Sequence, residues 1–99
     1  MELSNEGLKV VFSKAQDRYG HTLFAKVQES WVPVMHSLEG NAQDIWPCSP
    51  PWQQIVSEPV GPDGSFALLG VGLSGKGHWS VAIEATKVSG LLIDMACKV

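Results

Sequence analysis

The chain has 99 residues, 44% of them hydrophobic and 17% charged, with seven basic against ten acidic side chains and a formal net charge of −3. That balance excludes a disordered polyelectrolyte and fits a single globular domain over residues 1–99. Lysine and arginine are too sparse and scattered for the basic footprint of a nucleic-acid binder or an electrostatic membrane anchor, so neither partner is expected.

The first ten residues carry Glu2, Asn5, Glu6 and Lys9, which interrupt any apolar leader, and no apolar run approaches the length of a membrane span. Cytoplasmic residence is the expectation. Cys48 and Cys97 lie far apart, form no C-x-x-C motif and cannot complete a four-ligand zinc site by themselves. No cofactor or metal is expected, both thiols are expected to be reduced, and Cys97 reads as a small core residue.

From the N-terminus, Leu8, Val10 and Phe12 alternate with Lys9, Val11 and Ser13, the two-residue period of a strand. Asp17-Arg18-Tyr19-Gly20 reads as a tight turn, with Gly20 free to take positive φ. The chain returns over 21–28 with Leu23, Ala25 and Val27 toward the core. In 31–38, Val32, Val34, His36 and Leu38 are expected on one face, and Pro33, which lacks a donor, demands an edge or an irregular pairing. Residues 40–51 contain Trp46-Pro47-Cys48-Ser49-Pro50-Pro51 and read as a crossing loop with one short helical turn near 42–45.

Trp52 to Glu58 resumes as a strand, and Pro59-Val60-Gly61-Pro62-Asp63-Gly64 marks a turn. Phe66–Gly72 is expected to pair with Gly77–Ala85 across a turn at 73–76. Trp79, Val81, Ile83 and Ala85 share a face, as do Leu91, Ile93, Met95, Cys97 and Val99. About seven short strands without a helical stripe predict an all-β fold, a compact antiparallel sandwich or small barrel.

Four features bear on function. Gly70, Gly72 and Gly75 satisfy G-x-G-x-x-G, but the segment leads into a strand and position 77 is glycine, so a turn between strands is the better reading. His36 or His78 with a carboxylate, or Cys48 as nucleophile, would be the residues of an enzyme, though no local spacing pairs them. Trp31, Trp46 and Trp52, with Cys48, Pro50 and Pro51 between the last two, form a candidate aromatic surface for a sugar, a small molecule or a protein. The alternative is that Trp46 and Trp52 fold back as a lid on the core. The leading expectation is a non-catalytic interaction module that binds a partner or a second copy of itself, through this loop or an exposed strand edge. A small-molecule or carbohydrate binder and a small enzyme are the alternatives.

Overall fold

A computed structural model describes residues 1–40, 43, 48–62, 65–86 and 90–99. They form eight strands: β1 (Glu2–Ser4), β2 (Leu8–Ala15), β3 (Arg18–Val27), β4 (Ser30–His36), β5 (Gln54–Pro59), β6 (Phe66–Ser74), β7 (Gly77–Ala85) and β8 (Leu91–Lys98). Two four-stranded antiparallel sheets, β1-β2-β3-β4 and β5-β6-β7-β8, pack together as a sandwich. Each sheet follows chain order, so every partner within a sheet is a sequence neighbour. The strand missing from the sequence reading is β1, whose three residues are too few to display alternation.

Side-chain parity sets the faces. Val10 opposes Leu23, and Phe12 opposes His21, which gives the first sheet its inner stripe. In the second sheet Leu68 opposes Ile83, and Gly70 opposes Val81. The buried core joins Leu3, Val10 and Phe12 of the first sheet to Ile55, Leu68, Val81 and Ile83 of the second, with Trp52 among them. Each large aliphatic or aromatic side chain sealed there contributes about 1.5–3 kcal/mol relative to exposure.

Hydrogen bonds tie the two sheets together. Tyr19 N–H donates to the Trp52 carbonyl at 2.6 Å, a single rung between β3 and the chain entering β5. Asn5 Nδ2 donates to the carbonyls of Thr86 and of Gly90, at 3.1 Å for the latter, joining the β1–β2 loop to the β7–β8 connection.

Turn placement departs from the sequence reading in the front half. The β2–β3 hairpin closes on Gln16-Asp17, with Gln16 at φ 59°, and Arg18 already begins β3. Gly20 lies within the strand opposite Ser13. The β3–β4 hairpin turns on Gln28 and Glu29, both at positive φ (50° and 69°). Their backbone sense matches strand twist, and it is normally supplied by Asn-Gly.

In β4, Leu23 opposes Met35 while Phe24 opposes Pro33, so Val34 is the extra residue of a bulge. The bulge switches parity: Val32 and Met35 face inward, not the expected row Val32, Val34, His36 and Leu38. In the second sheet the turn expected at 73–76 is the two-residue Gly75-Lys76 loop, with Gly75 at φ 58°. The short helical turn expected near 42–45 lies outside the described residues, apart from Gln43.

Candidate functional site

The tryptophan-loop residues do not form one surface. Trp52 and Pro51 are buried, Pro50 is half-buried, Cys48 is exposed with a free thiol, and Trp46 lies outside the described residues. Trp31 sits on the opposite, outward face of the first sheet. Its ring lies 4.8 Å from Lys9 Nζ and 5.6 Å from Lys26 Nζ, and Lys9 also covers Phe24 at 5.1 Å. Trp31 and Trp52 are therefore separated by the thickness of a sheet.

The candidate catalytic groups are dispersed. His36 and His78 are exposed, and among the described residues neither makes an ion pair with a carboxylate. No group of three or more His, Cys, Asp or Glu among the described residues is placed to hold a metal. The glycine-rich segment is strand, turn and strand and does not lead into a helix. Among the described residues, no helix is long and apolar enough to cross a membrane.

His21, one of the three histidines of the sequence, is the one that the structure turns inward. His21 shares the inward parity of Leu23 and stacks at a tilt on Phe12, with ring centroids 5.7 Å apart. Its Nδ1 is buried without a hydrogen-bond partner. Burial pulls its pKa below 6.5, against a smaller upward pull from Glu39. The His21 amide donates to Ser37 Oγ at 2.9 Å, and that hydroxyl donates to Glu39 Oε2. The signal available in the sequence was parity alone.

The margin of the sandwich is open at β8. Its inward stripe continues the core register, with Met95 opposite Val81 and Ile93 opposite Ile83. Val81 and Ile83 are 5% and 3% exposed, yet Met95 and Ile93 are 46% and 48% exposed. Cover from the first sheet runs out between β7 and β8. Cys97 is for that reason exposed, not the core residue expected. A cavity of about 270 Å³ lies between the sheets, lined by Phe12, His21, Leu23, Met35, Ile93 and Met95 among others. On the outer face a shallow hollow of about 680 Å³ reaches Ala96 and Lys98, so both faces of β8 are accessible.

The four sheet edges differ in protection. β1 has three residues, β4 carries Pro33 and the Val34 bulge, and β5 follows Pro50-Pro51 and ends at Pro59. β8 has none of these devices. It runs in unbroken register with β7 from Leu91 to Lys98, contains no proline, and exposes Leu92, Ile93 and Met95. Short strands, prolines and bulges are how edges avoid pairing with another chain. No protein-family model, curated protein or solved structure matches the chain.

Proposed function

We propose that the chain is a non-catalytic interaction module that receives an extended strand along the free edge of β8. The observation that carries this reading is the contrast among the four edges: β8 alone is long, regular and unblocked, and its inward stripe of Leu91, Ile93, Met95 and Cys97 bears no charge. An added strand would satisfy the open backbone groups of the edge and cover the apolar stripe, the two gains that drive strand addition.

The test is an NMR titration with nine-residue strand peptides of alternating apolar and polar residues, one of them the β8 sequence, against scrambled controls. Saturable shifts confined to the β8 amides and the Ile93 and Met95 methyls support the reading. If no peptide shifts β8, and its amides exchange as freely as an open edge at every protein concentration, the reading fails.

A second reading, a binder of small apolar molecules, is favoured by the inter-sheet cavity together with the unpartnered His21 Nδ1. A ligand there would carry an apolar body and one hydrogen-bonding group. Titration with small aromatic and aliphatic alcohols tests it: saturable shifts at Leu23, Met35 and His21 support it, and their absence at millimolar concentration overturns it.

A further inference from the structure

The occupant of the β8 edge can be narrowed from the sequence of β8 itself. Two copies of a strand related by a two-fold axis pair antiparallel, and each residue meets the one equally distant on the other side of the axis. Inward side chains must meet inward side chains, or the apolar stripe would be divided between two faces. In β8 the outward residues are Leu92, Asp94, Ala96 and Lys98, which pair with Glu84, Ala82, Ser80 and His78 of β7. Asp94 and Lys98 are the two charges of the strand, of opposite sign and four residues apart, with Ala96 midway.

Resting on the β8-edge reading, we propose that the partner is a second copy of this chain, paired β8 to β8 with the two-fold axis at Ala96. In that register Asp94 faces the partner's Lys98, and Lys98 faces the partner's Asp94. Met95 faces the partner's Cys97, and Ile93 faces the partner's Val99. Every inward contact is apolar, and both outward charges are neutralised. Moving the axis to Met95 sets Lys98 against the partner's Leu92 and Asp94 against the partner's Ala96. Moving it to Asp94 sets that carboxylate against itself. Opposite charges directly across a strand pair are favourable and like charges unfavourable, so the Ala96 axis is selected over its neighbours. The dimer would fuse the two second sheets into one eight-stranded sheet, and the exposed edges left are those that proline, a bulge or shortness already protects.

The experiment is a charge swap read by sedimentation velocity over a range of concentrations, with Asp94→Lys, Lys98→Asp and the double variant compared with the parent chain. Asp94 and Lys98 are exposed, so the swaps leave the monomer fold intact, which near-ultraviolet circular dichroism and the unfolding midpoint verify. Each single swap turns both attractive pairs into repulsive ones and is expected to weaken dimerisation roughly tenfold or more. The double variant restores both pairs in reversed polarity and is expected to return to within a few-fold of the parent. Restoration by the double swap establishes the register. A parent chain that stays monomeric, or a dimer that no swap weakens, overturns it. Peptide binding at β8 by a chain that remains monomeric would overturn the self-pairing while leaving the strand-addition reading standing.

Discussion

The carbonyl group of Pro51 occupies the space that a side chain at Gly72 would need. A Cβ built on Gly72 falls 2.7 Å from the Pro51 carbonyl carbon and closer still to its oxygen. The obstacle is backbone, held in place by neighbouring rungs: Gln53 N–H donates to the Val71 carbonyl at 2.9 Å, and the Gln53 side chain exchanges hydrogen bonds with the Leu73 backbone at 3.1 and 3.2 Å. Gly72→Ala must therefore part β6 from this segment, and a loss of about 3 kcal/mol or more is expected by urea unfolding. At Gly70 the nearest atoms are the Ile55 and Val81 side-chain methyls, 2.7 and 2.9 Å from an added Cβ. Gly70→Ala is expected to cost about 1–3 kcal/mol, because those side chains have some room to turn.

Trp52 is a side chain that Gly70 admits. It is fully buried, and its six-membered ring lies 3.5 Å from the Cβ position of Gly70. Trp52→Ala removes the largest side chain of the core and is expected to cost about 3–5 kcal/mol. Trp52→Phe leaves a smaller void and is expected to cost less. Trp52 emission should be blue-shifted in the native state and move to the red on unfolding.

The legible part of this fold was its parity, and the illegible part was what lies opposite each face. Two-residue alternation grouped Trp79, Val81, Ile83 and Ala85 into one row of β7, and Ile93, Met95 and Cys97 into one row of β8, and the register sets the two rows side by side on the inner face. Periodicity says nothing about whether a second layer covers a stripe, so the exposure of Cys97 was invisible. Pro33 announced an irregular β4 through its missing donor. The bulge itself fell at Val34, a residue with no turn preference. Gly20 drew the first turn to the wrong place because glycine has two common uses in β structure, positive φ and plain strand. The glycines at 70 and 72 resembled a phosphate loop. They are small to admit Trp52 and Pro51, a tertiary cause that no local motif encodes.

The Gln28-Glu29 turn stores local backbone strain. Both residues hold left-handed φ without being Gly or Asn. For a side chain with a Cβ that conformation costs about 1–2 kcal/mol, and glycine avoids it at an entropic cost of about 0.5–1 kcal/mol. Glu29→Gly is therefore expected to raise stability by about 0.5–1 kcal/mol. The gain should appear as a higher urea midpoint at unchanged m-value.

Asn5 couples the two sheets through one amide group. Its Nδ2 donates to the carbonyls of Thr86 and Gly90, and its Oδ1 accepts from the Glu6 amide at 2.6 Å. Asn5→Ala removes the donor, and a loss of about 1–2 kcal/mol is expected. Asn5→Asp keeps the shape but points a carboxylate at two carbonyl oxygens, so it should be the more damaging change at neutral pH. Lowering the pH to protonate that carboxylate should recover part of the difference between the two variants.

His21 makes stability depend on pH in a direction that its burial determines. The imidazole stands against Phe12 with Nδ1 unpartnered, and burial lowers its pKa from 6.5. Between the native and the unfolded pKa the unfolded chain binds a proton that the native chain does not, so stability rises with pH across that window. The contribution is complete above about 6.5 and drains away as the pH falls through the lower native value. His21→Leu removes this dependence, and its unfolding free energy should lose the slope that the parent shows below pH 6.5. Glu39 opposes the burial effect by favouring the charged imidazole. Glu39→Gln should therefore move the lower limit of the window further toward acid, lengthening the slope. Urea unfolding at half-unit steps from pH 4.5 to 7.5, with imidazole chemical shifts of the native protein alongside, checks both expectations. A His21 resonance titrating at or above 6.5 would overturn them.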